Sequence, residues 1–339
     1  LPLALARGTQ LLISIGLITA IANRAGPTSW HNVAHGYVAV VTLGIIVGLF
    51  FRRAPERQLQ GRFLWLYGHP VVAASMLTIS ALMALGWLCD RGLPRRWPQS
   101  IYVGLFVVHT VALAATRTRG SAVAFVVGVL VFVGLRMPRV LRSDAVLLAL
   151  VGAPPLIGVS LPAISAFVLR GESSGQLRSL NSRSGLWQEA WKAFAAKPLL
   201  GQGYFSSRQL FLQTIGLGGA HNAFIEVGLS AGLVGLLCLL VFLVGAIRRL
   251  QRVGRHPDRP MVAAILAALL VNGLTAQYLA QAGTAANLLF FLVGGWIATL
   301  RPSRRPAPGT VVAAVRPSPP AGPPRPAAVA PATLWSSAS

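Results

Sequence analysis

His221 follows Gly218, Gly219 and Ala220 and precedes Asn222 at the foot of a long apolar segment. An imidazole in that position titrates near neutral pH, meets water on one side, and can take a proton from a hydroxyl as a general base. A helix-capping or hydrogen-bonded histidine would occupy the same place, and both readings stand at this point. Four arginines accompany it. Arg183 opens RSGLWQEAW (183–191), Arg208 lies a little further on, and Arg117 and Arg119 stand in ATRTRG (115–120), where another apolar segment starts. A guanidinium at a membrane edge either snorkels to water or meets a buried anion. Gly201 and Gly203, in LLGQGY (199–204), permit positive φ or a close approach of a ligand to the main chain.

Other chemistries are disfavoured by composition. Seven Asp and Glu occur in the whole chain, no two of them close together in this polar stretch, which argues against a paired-carboxylate glycosidase or an acidic metal site. The six histidines lack a zinc-ligand spacing, His31 and His35 having no third ligand nearby, so no metal site is expected. His109 sits inside an apolar segment, where hydrogen-bonded packing is the plain reading and a functional role the reserve.

These residues need a membrane-embedded scaffold. Of 339 residues 54% are hydrophobic and 11% charged, with mean hydropathy +0.65, too apolar for a soluble domain. Charge-free windows predict about nine spans, near 9–23, 33–51, 70–89, 101–116, 120–135, 144–169, 222–247, 261–281 and 284–300. All are expected to be helices, because a lipid-facing backbone must satisfy its own hydrogen bonds. The expected class is therefore an all-α, polytopic integral membrane protein. Its parts are transmembrane helices over 1–169, a polar loop over 170–221, further transmembrane helices over 222–300, and a Pro-, Ala- and Arg-rich tail over 301–339. Pro317, Pro319, Pro320, Pro323, Pro324 and Pro326 exclude regular helix from that tail, which is expected to be disordered and cytoplasmic.

The net charge of +23 suits anionic partners, although a positive-inside bias accounts for much of it, and membrane lipids rather than nucleic acid are the expected contacts. Alternating spans place three Arg clusters in the cytoplasm: Arg136, Arg139 and Arg142; Arg248, Arg249, Arg252, Arg255 and Arg259; and Arg301, Arg304 and Arg305. Arg91, Arg95 and Arg96 join them, while Arg117, Arg119 and the 170–221 loop face outward. Arg52, Arg53, Arg57 and Arg62 dissent, falling outside by the same alternation; a miscounted span or an anion-binding outer surface would each explain them. Within the loop, Trp187, Ala190, Trp191 and Phe194 recur at helical spacing opposite Gln188, Glu189 and Lys192, predicting an amphipathic helix that Pro198 ends. Its tryptophans suit the outer membrane interface, with packing on the protein itself as the alternative. Cys89 and Cys238 lie in apolar segments, where a disulfide is not expected.

The order of TRTRG (116–120), RSGLWQEAW (183–191), KPLLGQG (197–203) and AHNAFIEVGLSAGLVG (220–235), with weaker support from YGHPVVAASML (67–77), resembles the O-antigen ligase and O-antigen polymerase family of bacterial membrane glycosyltransferases. The resemblance covers roughly residues 60–300. It implies a multi-helix body and a large periplasmic loop carrying essential Arg and His. It further implies transfer of a glycan from an undecaprenyl diphosphate carrier to an acceptor, lipid A core or another glycan, with no cofactor, metal or nucleotide sugar.

Carried over residue by residue, it assigns catalytic roles to Arg119, Arg183 and His221. Arg117 and Arg208 join on charge alone, and Trp187, Trp191, Gly201, Gly203 and Asn222 fall within the matched motifs as substrate-binding candidates. The protein would sit in the bacterial plasma membrane with its active site facing the periplasm or exterior. Two departures stand out: the family usually has roughly ten to twelve spans, so earlier ones are expected to be missing from a chain that opens on Leu1, and it does not require a Pro-rich tail. The motifs separate ligase from polymerase poorly, with a slight lean to ligase. A transporter or flippase of anionic lipid-linked glycans is the rival from another class; it predicts midplane ionisable groups, of which few are found apart from His109, and related halves, of which none is found.

Overall fold

A computed structural model of the protein describes residues 2–24, 27–50, 69–90, 92–136, 183–204, 206–214, 219–277, 279–280 and 284–301. Those residues form helices and no strand: α1 (Pro2–Arg24), α2 (Pro27–Phe50), α3 (Pro70–Cys89), α4 (Gln99–Ala115), α5 (Arg119–Arg136), α6 (Arg183–Ala196), α7 (Ser206–Thr214), α8 (Ala223–Arg252), α9 (Asp258–Thr275) and α10 (Ala285–Thr299). α2 from Thr28, α3, α5, α8 and α9 are long and apolar enough to cross a bilayer, and α4 and α10 are shorter apolar helices. This is a polytopic, all-helical membrane architecture. The windows expected at 144–169, the dissenting arginines of the 52–62 stretch and the tail beyond Arg301 lie outside the described residues.

Helix starts follow from local chemistry. Pro70 occupies the first turn of α3, where its missing N–H costs nothing, and His69 caps it by accepting the Val71 N–H on Nδ1 at 3.3 Å. Thr284 caps α10, its hydroxyl accepting the Asn287 N–H at 3.2 Å. The expected 261–281 span is too long: α9 stops at Thr275, because Ala276 turns to extended backbone (φ −143°, ψ 143°).

α3 and α9 form the centre. Their most apolar stretches are 78% and 67% buried, against 22% for α5 and 17% for α8, whose outward valines and leucines suit lipid. Close approach depends on small residues. A Cβ on Gly128 of α5 would lie 3.2 Å from the Ala264 carbonyl of α9, and one on Gly86 of α3 would overlap Met261.

The helices sort into two ends. At one, the Thr118 hydroxyl reaches the Pro70 carbonyl at 3.4 Å, Gly120 abuts Thr275, and the Asn222 side-chain amide donates to the Leu274 carbonyl at 3.1 Å. At the other, Asp258 accepts from His31 at 3.1 Å and from the Trp296 indole at 2.9 Å, and the Trp87 indole donates to His31 Nδ1 at 3.2 Å. Arg95, Arg96, Arg136, Arg249 and Arg259 belong to this second end: Arg136 pairs with Asp90 and Arg249 with the Leu300 carbonyl. Arg117 and Arg119 belong to the first. Arg95, Arg96, Arg136, Arg249 and Arg259 thus lie at the end opposite Arg117 and Arg119.

Candidate active site

The turn before α8 is fixed from three directions. Asn222 is extended (φ −149°, ψ 123°) and caps the helix, its Oδ1 accepting the N–H groups of Phe224 at 2.9 Å and Ile225 at 3.1 Å. His221 takes a left-handed conformation (φ 51°), which is costly for a residue with a Cβ and persists only where the surroundings enforce it. Gln277, just past α9, supplies that enforcement: its Oε1 accepts the His221 main-chain N–H at 2.9 Å. Gly219 (φ 153°) leaves room for the same amide, since a Cβ there would sit 2.1 Å from Gln277 Oε1. The His221 side chain is half-buried. Capping thus falls to Asn222, and the imidazole sits on a turn tied to Gln277.

The Trp helix and α7 buttress the turn from beneath. Leu186 and Ala190 of α6, Phe211 of α7, Ala220 and Leu229 make a small apolar core of their own. The Trp187 indole donates to the Ala220 carbonyl at 3.3 Å, while Trp191 is 68% exposed. α6 therefore packs on the protein through Leu186 and Ala190, and Trp191 is the tryptophan it leaves outward. Glu226, one turn into α8 and buried, accepts the Ser207 hydroxyl and, at a long 3.5 Å, the Ala220 N–H. Sequence reasoning passed over Glu226. Its signal is an acid in the first turn of an otherwise apolar segment, four residues after the cap.

The glycine motif docks α6 onto a break in α8. Gly232 departs from helical backbone (φ 63°, ψ −155°), freeing main-chain groups on both sides. The 198–203 segment satisfies them: Leu233 N–H donates to the Pro198 carbonyl at 2.8 Å, Val234 N–H to Leu199 at 3.2 Å, and in return Gln202 N–H donates to Leu229 at 2.7 Å and Gly203 N–H to Ser230 at 3.2 Å. Gly201 (φ 70°) permits a close approach, and what approaches is the chain's own backbone: a Cβ would lie 2.6 Å from the Leu229 carbonyl. Gly203 (φ 99°) is exposed, with open space where a side chain would be.

The arginines distribute unevenly. Arg119 begins α5, half-buried, next to the Gly120 that abuts Thr275. It therefore shares the C-terminal end of α9 with the His221 turn, although 102 positions separate the two residue numbers (221 less 119). Arg117 is exposed between α4 and α5 with φ 51°, and Arg208 is exposed on α7 beside Ser207. Arg183 is the first residue of α6, and its side chain lies outside the described residues. His109 is fully buried between the hydroxyls of Thr42 and Ser80, both at 3.1 Å, a hydrogen-bonded packing residue. Among the described residues no three of His, Cys, Asp and Glu gather as metal ligands would.

Comparison with known proteins bears on the family resemblance. Residues 104–240 match the Wzy_C family model, described as O-antigen ligase. That stretch runs from α4 into α8 and contains Arg117, Arg119, Arg183, Arg208 and His221. Over 212 residues the chain is also 27% identical to the exopolysaccharide production protein ExoQ of Rhizobium meliloti (strain 1021), covering 56% of this chain and 48% of that protein. The chain thus spans about half the length of the curated relative it matches.

Proposed function

We propose that this chain, a multi-pass membrane protein of the O-antigen ligase and polymerase family, moves a glycan from an undecaprenyl diphosphate carrier to an acceptor hydroxyl at the outer face of the plasma membrane. The observation that supports the proposal is that Gly120, next to Arg119, abuts Thr275 while Gln277 holds the His221 turn, so both lie at the C-terminal end of α9. His221 takes the acceptor proton as the acceptor oxygen bonds to the anomeric carbon. The bond from that carbon to the diphosphate oxygen breaks, and the diphosphate leaves with the electron pair, inverting the centre. Arg119 and Arg183, aided by Arg117 or Arg208, bind the phosphate oxygens and offset the charge that grows on them. The half-exposed imidazole on a tethered turn suits such a base, because its position costs no reorganisation at the moment of transfer.

Lipid A core is the acceptor on the ligase reading, which the family match supports. The likeness to a protein of exopolysaccharide production supports the second reading, extension of a carrier-linked chain by repeat units. Transfer in vitro from a purified undecaprenyl diphosphate glycan tests both. His221→Ala is expected to abolish turnover and Arg119→Ala to lower it by roughly two to three orders of magnitude. Wild-type turnover by His221→Ala would rule out the base. One glycan block on a new acceptor marks a ligase, and a ladder on the carrier marks a polymerase.

A further inference from the structure

Trp30 and Trp296 stack at the basic end of the protein, ring centroids 6.3 Å apart and planes 10° from parallel, yet their N–H groups are treated differently. The Trp296 N–H donates to Asp258 at 2.9 Å. The Trp30 N–H is buried with no acceptor among the described residues. Arg249 shows the same contrast within one side chain: a terminal nitrogen donates to the Leu300 carbonyl, while its Nε–H is buried with no acceptor among the described residues. Buried donors left unmatched are rare and call for a ligand or water to complete them.

Both residues line one cavity of about 410 Å³, together with His256, Asp258, Trp296 and Arg301. His256 accepts the Asp258 main-chain N–H on Nδ1 at 3.2 Å, which leaves Nε2 as the protonated donor of the neutral ring. The acid on the wall, Asp258, has its two oxygens taken by His31 and Trp296. The cavity therefore offers two guanidinium groups, an indole N–H and an imidazole N–H. Its volume is within the range of small-molecule sites. Among the described residues, Asp90, Glu189 and Glu226 are engaged away from the cavity.

We infer that this cavity is a phosphate-binding site, separate from the His221 end, for an anionic phospholipid headgroup or inorganic phosphate. The donors come from α2, α8, the turn into α9 and the second residue after α10, so they converge from several directions. A tetrahedral phosphate, whose oxygens point out of one plane, satisfies such a set better than a planar carboxylate does.

The test uses the full chain, delipidated in neutral detergent, with binding read by native mass spectrometry and by thermal unfolding. Inorganic phosphate, dioleoylphosphatidylglycerol and phosphate-free dioleoylglycerol are the probes. Binding of either phosphate-bearing probe and not dioleoylglycerol is expected. Response to inorganic phosphate identifies the free ion, and response to phosphatidylglycerol alone identifies a lipid. Arg301→Gln and Trp30→Phe should each weaken binding roughly tenfold. Arg248→Gln and Arg252→Gln, exposed on the same helix end but outside the cavity, should change it less than about twofold. Equal losses in both pairs would mean diffuse attraction to a basic surface and overturn the site, as would equal binding of dioleoylglycerol or no binding of any probe. Trp30→Phe keeps the ring stack, so its loss of binding reads the N–H rather than the fold.

Discussion

The side-chain carbonyl of Gln277 holds the main-chain N–H of His221 at 2.9 Å, joining residues 56 positions apart. The bond fixes a left-handed turn that would otherwise relax, so it governs where the imidazole sits. Replacing Gln277 by Leu is expected to lower kcat/KM for glycan transfer by roughly one to two orders of magnitude, since small displacements of a catalytic group have effects of that size. Thermal stability should fall by only about 1 kcal/mol. Gln277→Glu keeps an acceptor and should restore part of the rate. Steady-state kinetics on the three proteins, with unfolding curves alongside, checks this.

Gly232 makes a different claim on the loop. A Cβ at that position would lie 2.3 Å from the Leu199 carbonyl, and the backbone there has φ 63°. Gly232→Ala should therefore push the 198–203 segment off the break in α8 and destabilise the protein by about 1–3 kcal/mol. Gly203 has φ 99° but open space around it, so Gly203→Ala meets backbone strain without the clash and is expected to be the milder change. Proteolysis within 197–204, faster in the Gly232 variant, distinguishes undocking from general unfolding.

What the sequence made legible was local. His69–Pro70 and His221–Asn222 mark helix starts because a cap needs only the next few residues, and both motifs sit where helices begin. Apolar windows located the helices but overran the end of α9, since hydropathy does not register the extended backbone at Ala276. Glu226 and Gln277 stayed hidden because their value lies in partners 19 and 56 positions away. Gly201 was recognisable as a close-approach residue, yet nothing in LLGQGY reveals that the visitor is α8.

The two tryptophans of α6 should separate in the same experiment. Trp187 donates to Ala220, the neighbour of His221, whereas Trp191 is 68% exposed. Trp187→Phe removes that bond while keeping an aromatic ring, and should reduce transfer about threefold to tenfold. Trp191→Phe should leave kcat alone; if the outward indole meets the lipid carrier or the membrane interface, KM for the donor rises instead. A fall in kcat for Trp191→Phe and none for Trp187→Phe would reverse the division of labour.

Stability and catalysis are expected to come apart at the opposite end. The Tyr102 hydroxyl, buried beneath the α3–α4 connection, meets His35 Nε2 at 2.7 Å and accepts the main-chain N–H groups of Arg96 at 3.0 Å and Trp97 at 3.3 Å. Tyr102→Phe keeps the packed ring and leaves those groups without their shared oxygen, which should cost about 1–3 kcal/mol. None of them reaches the His221 turn, so the rate per folded molecule should stay at the wild-type value. Thermal unfolding in detergent, paired with transfer assays normalised to folded protein, measures both quantities. A lowered midpoint with unchanged specific activity is the expected result. A comparable loss of specific activity would show that the basic end communicates with the site through α3 and α4, whose other termini carry His69 and Thr116.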